Sequence, residues 1–223
     1  MAKTLLITGA SSGIGAATAH AAADAGWNVV LCARSTEKIE QLAEQIGEHA
    51  LAITCDVTKR DQVRDAIERA VDHFGALDAL YANAGMGVEK PGIENGDPDA
   101  WHDMIHVNIL AVLYAAHEAI PHLKKTKGHF VVTGSKAGRD NMKGSVYSAT
   151  KWFVHGFGEN LAEEMREWGG RATIIAPGMV NTAFFDEEKP DKIQPEDVAE
   201  AVVFALSQPR TAAVREIYIM PND

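Results

Sequence analysis

The sequence is poor in cysteine, in basic charge and in long apolar runs, and each shortage removes a class of protein. Two cysteines in 223 residues, Cys32 and Cys55, cannot make the disulfide framework of a small secreted domain. They could face each other on neighbouring strands, but free core thiols are the expectation. Lys and Arg number 21 against 31 Asp and Glu, a formal charge of −10. That balance argues against a nucleic-acid partner or an anionic membrane surface, since both need basic patches. No run approaches the roughly 18 apolar residues of a membrane-crossing helix. The first apolar run, Leu5–Ile7, is too short for a signal-peptide core, and Gly9 interrupts it. Linkers, low-complexity tracts and internal repeats are missing too. With 46% hydrophobic and 23% charged residues, the expectation is a cytoplasmic protein with one sizeable core, a single domain over residues 1–223.

What is present is an alternation of short apolar runs with longer amphipathic stretches, the pattern of βαβ units and a parallel sheet. The strand candidates are Lys3–Thr8, Asn28–Ala33, Ala50–Cys55, Ala79–Ala82, His129–Thr133, Ala172–Ala176 and Val214–Ile219. Most are nearly continuous Val, Ile, Leu and Ala, as expected of strands covered by helices on both faces. Helices are expected over Gly13–Ala25, Thr36–Ile46, Arg60–Phe74 and Pro195–Leu206, with two longer ones over Trp101–Lys124 and Val146–Trp168. Ser35 or Thr36 is a candidate cap for the second helix and Thr58 for the third. The fold class is α/β: a single-domain, Rossmann-type, doubly wound parallel sheet of about seven strands, flanked by helices on both faces.

The first strand runs directly into Thr8-Gly9-Ala10-Ser11-Ser12-Gly13-Ile14-Gly15, and a helix follows. In that context Gly9 permits a tight turn, Gly13 lets a pyrophosphate approach the backbone, and Gly15 lets the helix pack closely on the sheet. The free N–H groups at the helix start face the phosphate charge. At the end of the second strand an acid would accept bonds from the ribose hydroxyls of NAD, whereas an Arg would pair with the 2′-phosphate of NADP. Ala33 stands where the carboxylate would be, with Arg34 next to it. A guanidinium fork suits a phosphate dianion, so NADP(H) is expected over NAD(H). The plainer alternative is that Arg34 is a solvated loop charge.

Tyr147 and Lys151 are four residues apart near the start of a long helix, which puts both polar heads on one face. A phenol is a poor proton shuttle at neutral pH, and a neighbouring ammonium favours the phenolate. Alone, such a pair is commonly a surface feature. Ser135, however, ends the His129–Thr133 strand on the side of a parallel sheet where ligands gather. Asn108 lies inside the Trp101–Lys124 helix, where an Asn weakens the helix unless its side chain is engaged elsewhere.

The glycine spacing resembles the cofactor loop of the short-chain dehydrogenase/reductases. Asn83-Ala84-Gly85, Gly134-Ser135-Lys136-Ala137-Gly138, Tyr147-Ser148-Ala149-Thr150-Lys151 and Pro177-Gly178-Met179-Val180-Asn181-Thr182 are similar to further motifs of that family and follow its order. Gly134 departs from the family's pattern, which has a serine there. The resemblance implies a hydride-transfer enzyme interconverting a carbonyl and an alcohol. Ser135 would bond the substrate oxygen and Tyr147 would act as general acid/base. Lys151 would bind ribose hydroxyls and lower the Tyr147 pKa, while Asn108 would hold a water leading to the lysine. Cofactor contacts would come from Gly9, Ser11, Ser12, Gly13, Ile14, Gly15, Arg34, Asp56, Val57, Asn83, Ala84, Gly85, Tyr147, Lys151, Pro177, Gly178, Val180 and Thr182. Of these, Asp56 would meet the adenine amino group, or would equally be a turn residue. The resemblance also implies a homo-oligomer, dimer or tetramer, with Trp152 and Phe153 either interfacial or in the core.

The substrate pocket is expected from residues after Gly85, Asp140–Met142, Met179, Phe184 and Phe185. Arg139 and Lys143 are candidates for attracting a carboxylate, with exposed loop charge the blander reading. The ending Glu216–Pro221 looks like that of relatives acting on serine or other 3-hydroxy acids. His102 and His106 have a zinc-compatible spacing but no evident third ligand, so no metal is expected. His155 lies one turn after Lys151 and could approach the site, with helix packing the favoured reading. The rival classes are a cofactor-sensing protein without turnover and a redox-neutral epimerase or dehydratase.

Overall fold

The computed structural model describes residues 2–87, 92–184, 187 and 189–222. Seven strands pair in parallel as one sheet in the order β3-β2-β1-β4-β5-β6-β7. They are β1 Thr4–Thr8, β2 Asn28–Ala33, β3 Ala50–Thr54, β4 Ala79–Ala82, β5 His129–Thr133, β6 Arg171–Pro177 and β7 Glu216–Ile219. The helices are α1 Gly13–Asp24, α2 Thr36–Ile46, α3 Arg60–Phe74, α4 Pro98–Ile105, α5 Ala111–Thr126, α6 Val146–Arg166 and α7 Pro195–Ser207.

Alternate residues of β1 to β6 enter different cores, which is why these strands read as nearly unbroken apolar runs. Leu5 and Ile7 of β1, with Val29 and Leu31 of β2, join the core under α1, α2 and α7. Leu6, Val30 and Phe130 join the one under α3, α5 and α6. The chain winds outward from β1 in one direction through β2 and β3, then returns to place β4 on the other side of β1. A crevice therefore opens at the carboxyl ends of β1 and β4, where the winding reverses.

Several boundaries differ from the sequence reading. β7 starts two residues later than expected, and β6 extends by one residue at each end. Ser35 precedes α2 without a side-chain capping bond. Thr58 does not cap α3; the capping position is Lys59, and the Thr58 hydroxyl donates to Asp56 Oδ1 at 2.8 Å instead. The largest difference is in the expected Trp101–Lys124 helix, which is α4 and α5 joined by a π turn over His106–Leu110. The fully buried Asn108 sits in that turn, and its side chain is engaged outside the helix. Residues 98–126 are, by length and composition, apolar enough to cross a membrane. Val112, Ala115, Ala116, Ala119 and Leu123 of that stretch are instead buried in the core shared with α3.

Cys32 and Cys55 are free and buried. Burial pushes both thiols up, Cys55 to about 11.

Candidate active site

The loop after β1 is shaped by what its glycines leave out. Gly9 (φ +68°) and Gly13 (φ +52°) hold left-handed conformations. A Cβ on Gly15 would lie 2.3 Å from the Gly9 carbonyl oxygen, so α1 starts against the turn it leaves. Ser12 precedes α1 without a side-chain capping bond, and the first turn carries no acid. The helix start thus keeps its N–H groups for an anion.

The neighbouring strands lock this loop. Thr8 Oγ1 accepts from the backbone N–H groups of Asn83 (3.0 Å) and Ala84 (3.2 Å). Asn83 Nδ2 donates back to Thr8 O (3.0 Å) and Gly9 O (3.4 Å). Thr133 Oγ1 at the end of β5 lies 3.2 Å from Asn83 Oδ1. Thr8 and Thr133 were not singled out from the sequence; the only signal was their place at the carboxyl ends of strands.

Two connected cavities fill the crevice. One of about 850 Å³ is lined by Gly9, Ser11, Ser12, Gly13, Ile14, Arg34, Asp56, Val57, Asn83, Ala84, Gly85 and Thr182, all expected cofactor contacts. The other, about 410 Å³, is lined by Ser135, Tyr147, Lys151, Pro177, Gly178 and Val180; Ile14, Asn83, Gly85 and Thr182 border both. Gly15 and Asn108 stand behind these walls. The Arg34 guanidinium is exposed and has no hydrogen bond or ion pair among the described residues. Asp56 is a turn residue, accepting from Thr58 N at 3.0 Å and from its hydroxyl. Partial burial pushes its carboxyl up, but the Thr58 bonds with the nearby Arg34 and Lys59 charges hold it below the usual value.

In the smaller chamber, Ser135 Oγ accepts from Ala137 N (3.1 Å), which fixes its hydroxyl. The loop carrying it is pinned to α6 by Ser148, whose hydroxyl donates to Ala137 O (2.7 Å), while Ser145 caps the helix. Lys151 is buried and donates from Nζ to Thr133 O (2.8 Å), with Nζ 5.9 Å from the centre of the Tyr147 ring. Phe184 lies against Tyr147, ring centres 5.7 Å apart. Asn108 donates from Nδ2 to Met86 O (2.9 Å) and Thr150 Oγ1 (3.0 Å), and its Oδ1 accepts from Met86 N (2.9 Å). Its amide thus fastens the strand that leaves β4. A Cβ on Gly85 would stand 3.5 Å from Asn108 Oδ1 and 3.7 Å from Lys151 Nζ, so both atoms face the gap that glycine leaves.

Electrostatics correct one expectation. Burial raises the Tyr147 phenol, and a hydrogen bond with Ser135 pulls it back only in part; the net shift is upward, not the lowering expected from Lys151. The cause is burial of the phenol itself; burial acts on Lys151 too, lowering its ammonium from 10.5 to about 8. Between these values the unfolded chain holds a proton that the folded protein lacks, so this group makes stability rise with pH from about 8 to 10.5. Below pH 8 the folded state bears the cost of burying the charge, about 3 kcal/mol in all. Lys151→Met is expected to remove that slope, read as Tm against pH for both proteins.

Other candidates fall elsewhere. His102 and His106 lie against each other with ring centres 4.3 Å apart and planes tilted by 35°. Among the described residues no group of three or more His, Cys, Asp or Glu has metal-binding geometry. Lys143 is exposed. Arg139 forms a two-pronged ion pair with Glu216, Nε to Oε1 being 3.0 Å, so it is not free to attract a carboxylate. His155, for which helix packing was favoured over an approach to the site, reaches the Ser135 backbone with Nε2. Phe185 lies outside the described residues, whereas Asp140, Met142, Met179 and Phe184 line the smaller chamber as expected.

Comparison with known proteins agrees with this geometry. The short chain dehydrogenase family model matches residues 3–193. An uncharacterized oxidoreductase of Staphylococcus aureus (strain MRSA252) is 38% identical over 225 residues, covering 98% of this chain and 97% of the relative. Among solved structures, an alcohol dehydrogenase from the archaeon Thermococcus sibiricus complexed with 5-hydroxy-NADP superposes with a TM-score of 0.92 at 30% identity, covering 100% of this chain and 97% of that one. A 3-ketoacyl-(acyl-carrier-protein) reductase from Brucella melitensis complexed with NADH gives 0.89 at 30% identity, over 97% and 96% of the two chains. With the family model spanning residues 3–193 and relatives matched over nearly their whole length, this chain belongs to the short-chain dehydrogenases and is an NAD(P)-dependent enzyme of that family.

Proposed function

We propose that the protein is an NADP(H)-preferring oxidoreductase that interconverts an uncharged ketone or aldehyde and its alcohol in the cytoplasm. The observation that carries this reading is the convergence of Ser135, Tyr147 and Lys151 on one chamber joined to the glycine-lined crevice. The residues present fit the dinucleotide: the uncapped start of α1 suits its pyrophosphate, and Arg34, with Ala33 in place of an acid, suits a 2′-phosphate. The cofactor supplies the hydride. Ser135, its Oγ fixed by the Ala137 N–H, donates to the substrate oxygen. Tyr147 gives its proton to the same oxygen, and takes it back in the oxidative direction. Lys151 keeps a positive end beside the ring as that proton leaves, and the gap at Gly85 admits a water between Lys151 and Asn108 to replace it.

The chamber walls favour an apolar substrate. Met86, Met142, Met179 and Phe184 are among its apolar lining residues, and the Lys136 ammonium is paired with Asp140. A serine or other 3-hydroxy acid, the subgroup that the chain's ending resembles, would need a cation for its carboxylate, and Arg139 is held by Glu216. Two buried free thiols fit a reducing compartment. Trp152 on α6 and Ile105 on α4 are exposed apolar side chains that support the homo-oligomer.

The test is NADPH absorbance against pairs of neutral ketones or aldehydes and the corresponding keto acids. Consumption with the neutral members is expected. Tight NADPH binding without oxidation by any of them would favour a cofactor sensor instead. Arg34→Ala is expected to weaken NADPH binding at least tenfold while changing NADH affinity less than threefold, as read by fluorescence titration; equal losses for both would overturn the NADP(H) assignment.

A further inference from the structure

His155 lies on α6 one turn after Lys151, with its side chain 12% exposed. Its ring fits a slot that two glycines leave open. A Cβ on Gly134 would stand 2.7 Å from His155 Nε2, and one on Gly138 would stand 2.6 Å from Cδ2. The serine-to-glycine departure at position 134 therefore makes room for this imidazole. Nε2 lies 3.3 Å from the backbone nitrogen of Ser135 and 3.1 Å from its carbonyl oxygen. Nδ1 faces Glu216 Oε1 at 3.4 Å, and Arg139 holds that carboxylate from the other side.

One nitrogen cannot serve both Ser135 groups in one protonation state. The Ser135 carbonyl already accepts from Gly138 N–H at 3.0 Å, which leaves the Ser135 N–H as the group in need of Nε2. Nε2 is then the acceptor, and the ring proton sits on Nδ1 against the Glu216 carboxylate.

We propose that His155, kept in its Nδ1–H tautomer by Glu216, is a positioning residue for Ser135: by accepting the Ser135 N–H it fixes the backbone from which the hydroxyl is aimed. This rests on the carbonyl-reduction reading of the same site. The charged and titratable groups facing the ring are Glu216 on β7, Arg139 on the loop after β5 with Tyr218 beneath its guanidinium, and Lys151 on α6. Burial lowers the imidazole, with Glu216 and the Ser135 backbone hydrogen bond acting against it and the Arg139 and Lys151 charges with it, so the neutral form prevails near neutrality. Protonating Nε2 takes the acceptor from the Ser135 N–H and turns the ring toward donation to the Ser135 carbonyl 3.1 Å away, so the bond that fixes this backbone is lost. Turnover is lost on the acid side as a result.

The experiment is the pH profile of kcat for wild type, His155→Leu, His155→Gln and Glu216→Gln, with Tm for each and nitrogen-15 NMR of the histidines in the wild-type protein. His155→Leu is expected to lower kcat at least tenfold at neutral pH while the KM for NADPH moves less than twofold. His155→Gln carries an amide oxygen that accepts the same N–H without titrating, so it is expected to turn over at least fivefold faster than the Leu variant and to lack the acid inflection. Glu216→Gln withdraws the charge that favours imidazolium, so the inflection is expected at lower pH. A Leu variant within twofold of wild type, or a Gln variant no better than Leu, would overturn the inference. If the Leu variant does not fold, the Gln and Glu216→Gln profiles decide. If the wild-type enzyme reduces no carbonyl, it is the functional reading that fails; the NMR spectrum still judges this inference, with an Nε2–H tautomer of His155 refuting it.

Discussion

Tyr147→Phe is expected to lower kcat by about 10²–10⁴-fold while the NADPH dissociation constant stays within about threefold of wild type. The substitution removes one oxygen and leaves the ring packed against Phe184, so the chamber wall is kept. On the proposed reading the substitution removes the general-acid proton, which the Ser135 hydroxyl alone would not replace. Burial holds the phenol above its ordinary range, so at neutral pH it is a protonated donor, suited to reduction. Single-turnover absorbance with an accepted ketone and a separate cofactor titration check the two halves of this expectation. A variant within tenfold of wild type in kcat would take the acid role from Tyr147, and a lost cofactor affinity would make its role one of binding.

Gly15→Ala is expected to weaken dinucleotide binding at least a hundredfold and to lower Tm. The added methyl would sit 2.3 Å from Gly9 O, 2.9 Å from Gly9 C and 2.8 Å from Asn83 Nδ2. Two of these atoms are backbone, and the third belongs to the side chain that ties β4 to the glycine turn. The first turn of α1 must therefore back away, withdrawing the N–H groups that would face a pyrophosphate. Overpacking of this kind costs about 1–3 kcal/mol. Gly156→Ala is the matched control, since a Cβ on Gly156 of α6 meets nothing within 4 Å. A helix gains about 1 kcal/mol from that exchange, so the control is expected to raise Tm slightly and leave binding intact. Equal behaviour of the two variants would mean that the close approach at Gly15 does not matter.

Much of the fold was legible because its signals are local. Continuous Val, Ile and Leu runs mark strands buried on both sides, and β2, β4 and β5 begin and end where the run does. The glycine turn was legible for the same reason, since the strand, turn and helix that create the phosphate site are adjacent in sequence. Tyr147 and Lys151 share one helix, so their common face follows from helical geometry alone.

The misses concern contacts between segments far apart. The π turn at His106–Leu110 exists with Asn108 bonded to Met86 and Thr150, residues 22 and 42 positions away. Periodicity within the helix carries no trace of either partner. Thr58 is the exception, a local miss: Asp56, two residues before it, takes the hydroxyl that would have capped α3. The upward shift of Tyr147 depends on how much water the chamber excludes, a property of the packed surface rather than of a four-residue spacing.

By itself the amino-acid order determined the alternation of strands and helices, the phosphate turn and the pairing of a phenol with an amine, because each depends on residues within about one or two turns of one another. Only the tertiary structure decided that His155 meets Ser135, that Glu216 engages Arg139 and thereby closes it to a substrate carboxylate, and that burial governs the charge of Lys151. These follow from segments brought together by the sheet order, where desolvation and hydrogen-bond competition are set by neighbours that the linear sequence keeps apart.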